Sequence, residues 1–194
     1  LAEGTEERIL QATDILLRRD VAHITLLGDV DEIRAKAKIL GLDIDKAALI
    51  DPINSEKFEE YVNSYYELRK KKGITPEQAR DTMADATYYA TMMVKLDDAD
   101  GMVSGAINST AHTIRPAFEF VKTKPGVSVV SSIFIMCLQT KVLAFGDCAV
   151  VPNPDARQLA EIALSSAETA QIYGIEPRVA LLSYSTGTSG SGED

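Results

Sequence analysis

Between Thr5 and Ile50, short apolar runs alternate with stretches of helical period, and this alternation limits the fold more than any other feature. Thr5-Glu6-Glu7 stands before an apolar stripe at Ile9, Ala12, Thr13, Leu16 and Leu17, so a hydroxyl cap and an acidic first turn predict a helix from Thr5. Residues 22–27 read as a short strand, Gly28-Asp29 as a turn, residues 31–40 as a helix stopped by Gly41, and residues 47–50 as a weaker strand before Asp51-Pro52. A strand followed by a helix and another strand needs a crossover, which gives a parallel sheet.

Further along, residues 55–72 form a predicted helix ending in Arg69-Lys70-Lys71-Lys72-Gly73, and Thr75-Pro76-Glu77-Gln78 is a capping box expected to open the longest helix, to about Leu96. Residues 110–121 are predicted helical despite Pro116, and Lys124-Pro125-Gly126 is the expected boundary between domains at 1–124 and 125–194. Beyond it the connectivity changes. Residues 127–136 and 141–147 are rich in β-formers and only a few residues apart, which predicts an antiparallel pair. Pro152-Asn153-Pro154-Asp155 then opens a helix to about Tyr173, with Leu159, Ile162, Ala163, Ser166, Ala167 and Ala170 on one face, and residues 178–184 read as a central strand. The expected class is α/β in two domains, with a mostly parallel sheet in the first and a mixed sheet in the second.

Composition narrows the functions. Of 194 residues, 45% are hydrophobic and 25% charged, with 29 acidic against 20 basic side chains and a net charge of −9, which argues against a broad nucleic-acid surface and requires any anionic substrate to be drawn by local cations. No apolar run approaches the ~20 residues of a membrane span, and no basic-then-apolar leader is present, so a cytoplasmic location is expected. Cys137 and Cys148 are too few for a disulfide framework and are expected to be buried small hydrophobes.

Chemistry concentrates in residues 100–116, D-G-M-V-S-G-A-I-N-S-T-A-H-T-I-R-P, a short apolar strand breaking at Ser104-Gly105 and running through hydroxyl residues to an Arg-Pro pair. Gly105 lets a ligand approach the backbone, Ser104, Ser109 and Thr110 supply hydroxyls, and Arg115 offers a planar fork suited to phosphate or carboxylate. The plainer reading is a βα connection with a helix cap and a surface arginine. Arg69 is likewise open to two readings, since basic residues before a glycine also finish a helix well. Other chemistries find no support. The turn at Gly28 lacks G-x-G-x-x-G, the acidic run 97–100 lacks the glycine and glutamate of a calcium loop, and the only histidines are His23 and His112, with no G-x-S-x-G elbow. Gly187 and Gly192 have P-loop spacing, but Glu193-Asp194 stand where Lys-Ser/Thr is required, which excludes a nucleoside triphosphatase reading while leaving Ser185, Thr186 and Gly187 as a candidate phosphate cradle.

Residues 104–116, S-G-A-I-N-S-T-A-H-T-I-R-P, resemble the signature of the phosphate acetyltransferases (phosphotransacetylases). E-L-R-K-K-K-G at 67–73, K-T-K-P-G-V-S-V-V-S-S at 122–132, F-G-D-C-A-V-V-P-N-P at 145–154 and S-Y-S-T-G-T-S-G-S-G at 183–192 agree with it in order and spacing. The resemblance implies acetyl transfer between coenzyme A and inorganic phosphate, with acetyl-CoA as substrate and no tightly bound cofactor. It implies an isocitrate/isopropylmalate dehydrogenase-like fold, with a substrate cleft between two domains and a homodimer formed through the second. Arg69 and Arg115 fall on arginines associated with the phosphate and CoA site, and Ser104, Gly105, Thr110, Ser185, Thr186 and Gly187 join them as binding candidates. His112 departs from the family, which usually carries Asn or Asp there and often a His where this chain has Asn108. A phosphate butyryltransferase and a non-catalytic acyl-CoA-sensing domain are the alternatives.

The chain opens at Leu1 without methionine, where a first strand is expected to finish, and stops at Asp194, where a helix is expected to begin; both ends read as cut. In the family the general base is an Asp near a Ser-Arg pair, expected beyond Asp194, so no catalytic residue is assigned within the 194 positions and they are expected to be inactive alone in an assay of CoA-dependent acetyl phosphate loss.

Overall fold

A computed structural model describes residues 1–182, and the chain divides into two compact units, Leu1–Lys122 and a second beginning at Thr123. In the first unit, α1 (Glu7–Arg18), β1 (Thr25–Leu27), α2 (Val30–Leu40) and β2 (Ala48–Ile50) follow the expected order, and β1 pairs parallel with β2, Leu26 opposite Leu49. The cap of α1 differs from expectation. The Glu6 carboxylate, not the Thr5 hydroxyl, accepts the Ile9 N–H at 3.1 Å, adding a negative charge where the helix dipole favours one. Asp29 caps α2 through the Glu32 N–H, and Gly41 closes it.

Residues 1–4 run beside β1, with Leu27 N–H donating to Leu1 O (3.1 Å) and Gly4 N–H to Leu27 O (3.0 Å); on their other side Ala2 N–H reaches Val103 O (3.4 Å). A Cβ on Gly4 would stand 2.6 Å from Leu27 O and 2.9 Å from Ile33 Cδ1, so this approach requires glycine. The short apolar strand expected to break at Ser104-Gly105 carries no ladder among the described residues.

The helices α3 (Phe58–Arg69), α4 (Pro76–Met83) and α5 (Ala86–Lys95) build the larger core. The single long helix expected from Thr75 is two, because Asp85 interrupts it and caps α5 by accepting the N–H groups of Thr87 (2.9 Å) and Tyr88 (3.1 Å). Residues 87–93 are all buried, so α5 is covered almost all round, as befits a central helix. Tyr61, Tyr65, Tyr88 and Tyr89 lie in this core, and Tyr61 donates to Asp98 at 2.6 Å, tying α3 to the turn after α5. A second cluster, with Leu10, Leu26, Ile33 and Ala37, fills the space between the sheet and α1 and α2.

After residue 109 the chain enters α6 (Thr110–Pro116) and then a π-helical turn, Ala117–Val121. Pro116 has no N–H for the ladder and crowds the carbonyl four residues back, and the helix resolves this by widening until Lys122 N–H reaches Ala117 O at 2.8 Å.

In the second unit, β3 (Ile133–Cys137) and β4 (Val142–Gly146) form the expected antiparallel pair, Ile135 opposite Ala144. Helix α7 (Ala156–Ile172) opens with an Asp155/Gln158 capping box, and its Leu159, Ile162, Ala163, Ser166, Ala167 and Ala170 face β4 and residues 175–181 across a groove of about 310 Å³. The described part of the expected strand at 178–184 carries no ladder: Val179, Leu181 and Leu182 are exposed, and residues 178–182 have no strand partner. Cys137 is exposed on β3 and Cys148 only half-buried with its sulfur 3.3 Å from Ser132 Oγ, so the expectation of two buried thiols does not hold.

Asp147 organises the turn after β4. Its carboxylate accepts from Ser132 N–H (2.6 Å), Ser132 Oγ–H (2.5 Å) and the N–H groups of Val150 (2.9 Å) and Val151 (2.5 Å). Burial pushes its pKa up, yet the Ser132 hydroxyl and the three backbone donors outweigh it and hold the group at about 2. A carboxylate depressed from 3.8 to about 2 contributes stability that is complete above about pH 4 and is lost as pH falls toward 2. Denaturation midpoints measured from pH 5 to pH 2 are expected to fall more steeply for the wild-type chain than for Asp147→Asn, and parallel curves would contradict the assignment.

Candidate functional site

The loop after Val103 receives a side chain from a hundred residues away. The Glu3 carboxylate accepts four successive backbone N–H groups, those of Gly105 (3.0 Å) and Ala106 (2.8 Å) on Oε2 and those of Ile107 (2.8 Å) and Asn108 (2.8 Å) on Oε1. Glu3 is only 5% exposed. Burial pushes its pKa up, but the four donors hold it below the usual glutamate value. Arg8 Nη2 donates to Ala106 O at 2.7 Å, and the Asn108 amide donates to Thr87 Oγ1 at 3.1 Å and Ser104 Oγ at 3.4 Å. The loop thus has the anion-cradling form its composition predicts, and the anion it holds is the chain's own. Gly105 has φ +110°, a conformation that by itself selects glycine. Ser104 is half-buried; Thr110 is exposed in the first turn of α6; Ser109 caps that helix by accepting His112 N–H at 3.2 Å.

A polar cluster lies where α3, α5 and α6 meet. Tyr65 and Arg69 share a face of α3 at i, i+4 spacing, Asp85 and Tyr88 come from the start of α5, and His112, Arg115 and Glu119 from α6 and its π-helical turn. Tyr65 Oη donates to Glu119 Oε2 at 2.7 Å, Tyr88 Oη to Glu119 Oε1 at 3.3 Å, and Arg69 Nε stands 3.8 Å from Glu119. Burial and Glu119 push the Tyr88 hydroxyl up to about 12, while the nearby Arg115 guanidinium pulls it down. Burial first, then the bond to Glu119, raises Tyr65 as well. Both phenols therefore stay protonated and donating. His112 Nε2 lies 3.0 Å from Asp85 Oδ2, with its ring 6.3 Å from that of Tyr88. Arg115 itself is exposed and has no ion-pair partner among the described residues.

Of the residues singled out from sequence, Arg69 stands 3.8 Å from Glu119, and Arg115, four residues before Glu119 in the chain, lies near enough to Tyr88 to draw its pKa down. The lysines after Arg69 point elsewhere: Lys70 pairs with Glu67, while Lys71 and Lys72 are exposed. Ser185, Thr186 and Gly187 lie outside the described residues. Sequence reasoning missed Glu3, Tyr65, Tyr88, Asp85 and Glu119. Two of these carry a helical signal, Tyr65 four residues before Arg69 and Glu119 four after Arg115; Glu3 carries none, since its partners are residues 105–108. Among the described residues no group of three or more His, Cys, Asp or Glu could hold a metal ion.

Known proteins share this chain throughout its length. The family description "Phosphate acetyl/butaryl transferase" matches residues 1–194. A phosphate acetyltransferase of Nitratidesulfovibrio vulgaris is 66% identical over the whole chain, which covers 28% of that relative, and one of Corynebacterium glutamicum is 54% identical, with 59% covered. Among solved structures, a phosphotransacetylase from Streptococcus pyogenes superposes with a TM-score of 0.90 at 40% identity, and the EutD phosphotransacetylase from Staphylococcus aureus with 0.87 at 43%. Each comparison spans 99% of this chain and 59% and 58% of those structures, so the chain covers between about a quarter and three-fifths of the proteins it matches.

The two readings of Arg69 separate by experiment. Glu119 keeps two tyrosine donors when Arg69 is replaced, and an ion pair of this length and exposure contributes at most about 1 kcal/mol. Arg69→Gln is expected to shift the melting temperature by no more than a few degrees while weakening anion binding about tenfold by calorimetry. A lowered melting temperature with unchanged binding would reduce Arg69 to a helix terminus.

Proposed function

The chain belongs to the phosphate acetyl/butaryl transferase family, and from that premise we propose that it serves acetyl transfer between coenzyme A and inorganic phosphate, acetyl-CoA + phosphate ⇌ acetyl phosphate + CoA. The observation that carries this reading is the convergence of Arg69 and Arg115 on one cluster in a chain whose net charge is −9. Arg69 beside Glu119 and an exposed Arg115 on the neighbouring helix offer the two guanidinium groups a phosphoryl group needs, and they supply the local positive field that the chain as a whole lacks.

In the direction of acetyl-CoA synthesis, the CoA thiol, with an ordinary pKa of ~8.5, gives its proton to a base and attacks the acetyl carbon of acetyl phosphate. The bond between the acetyl carbon and the bridging oxygen breaks, and that oxygen leaves with the phosphate, which carries the electron pair as an additional negative charge. In this reading Arg115 takes that charge in its open fork, and Arg69, released from its long contact with Glu119, completes the clamp. Ser104, Gly105, Thr110, Ser185, Thr186 and Gly187 are proposed as further binding residues on their composition alone. Coenzyme A acts as substrate rather than as a bound cofactor. The two-domain dehydrogenase-like architecture and a cytoplasmic homodimer belong to the same proposal; for the former, the support is the division into two units, one with a parallel and one with an antiparallel pair.

Arg115→Ala in the full-length protein tests the reading. A charge-assisted bidentate contact contributes ~1.5–3 kcal/mol, so the KM for acetyl phosphate is expected to rise, or turnover to fall, by roughly 10- to 100-fold. Unchanged kinetics would remove Arg115 from the site.

A further inference from the structure

The N-terminal anchor of the arginine-bearing helix is an internal ion rather than a hydrophobic contact. Residues 105–108 make no ladder, and what holds them is one carboxylate with four N–H donors, the Arg8 bond to Ala106 O and the Asn108 amide on Thr87. Asn108 donates its N–H to Glu3 and directly precedes Ser109, the cap of α6, so Glu3 holds the chain where it enters that helix, whose first turn is also tied to α5 by His112 and Asp85. Arg115 lies in the last turn of that short helix, exposed and without an ion-pair partner among the described residues to aim it.

We propose that Glu3 is a positioning residue of the anion site: by filling the nest of N–H groups at 105–108 it fixes the start of α6, and through it the aim of Arg115, while denying that nest to a ligand phosphate. This rests on the reading of Arg115 as a phosphate ligand. The carboxylate is required, not merely a polar side chain. Glu3→Gln places an amide NH2 against two backbone N–H donors, and Glu3→Asp is one methylene too short to span both pairs of donors. Each leaves buried donors unpartnered, and the loop relieves this by moving.

The experiment is a double-mutant cycle in the full-length protein, with inorganic phosphate binding read by calorimetry and the KM for acetyl phosphate read by kinetics. Glu3→Gln is expected to weaken phosphate binding about tenfold when Arg115 is present and to have no further effect in the Arg115→Ala background, because the first change acts through the second residue. Equal losses in both backgrounds would show a general structural role and overturn the proposal, as would a wild-type chain that binds no phosphate. Should Glu3→Gln not fold, Arg8→Met removes the bond to the Ala106 carbonyl together with the exposed ion pair to Glu6, and is expected to show the same dependence on Arg115. Absence of CoA-dependent acetyl phosphate consumption by the wild-type protein would refute the transferase reading separately, since the phosphate-binding cycle still decides the role of Glu3.

Discussion

A buried carboxylate that is 5% exposed is tolerable only if its charge is met, and Glu3 is met by four backbone N–H groups from one short loop. The dependence runs both ways. Without Glu3, the four donors of residues 105–108 face neither a ladder nor each other, and without the loop the charge of Glu3 has no partner beside β1. Because residues 1–4 are stitched to β1 and Val103, this pair fastens the sheet to the start of α6. The second unit uses the same device on a smaller scale, where Asp147 gathers Ser132, Val150 and Val151 around the turn after β4. In both places an acidic side chain makes an irregular segment rigid where regular hydrogen bonding cannot.

Helical pattern and capping chemistry were readable from the sequence, and long-range polar contact was not. Thr75, Asp155, Asp29 and Gly41 announced helix ends through purely local bonds, and those ends stand where the residues placed them. Asp85 was misread because an acidic residue inside an apolar stripe looks like a solvated helical position, whereas here it ends one helix and caps the next. Residues 178–182, the described part of the strand expected at 178–184, pair with no strand among the described residues: pairing depends on a neighbouring strand that an apolar run itself does not encode.

For the candidate site, arginines and short hydroxyls near glycine stand out in the sequence by type, although a helix cap and a surface arginine carry the same pattern. The supports of those side chains do not stand out. Tyr65, Tyr88 and Glu119 look in sequence like ordinary helix residues, and only the meeting of α3, α5 and α6 shows that two phenols and a carboxylate form the seat of the arginines. The composition of the loop at 104–108 describes its donors and says nothing of which anion fills them; in the structure the Glu3 carboxylate does.

The geometry at Glu119 explains how such a seat can hold an arginine without consuming it. Charge-assisted contacts between guanidinium and carboxylate run at about 2.7–2.9 Å when fully formed, whereas Arg69 stands 3.8 Å from a Glu119 whose oxygens are already committed to Tyr65 and Tyr88. The tyrosines stay protonated because burial and Glu119 raise their pKa, so they never compete with a ligand as anions. Glu119 thereby keeps Arg69 folded back against the protein while leaving its strongest hydrogen bonds unmade. Under the proposed function, a phosphate would take those bonds without first breaking a tight ion pair, and Glu119, still accepting from two phenols, would not be left a bare half-buried charge when Arg69 turned away.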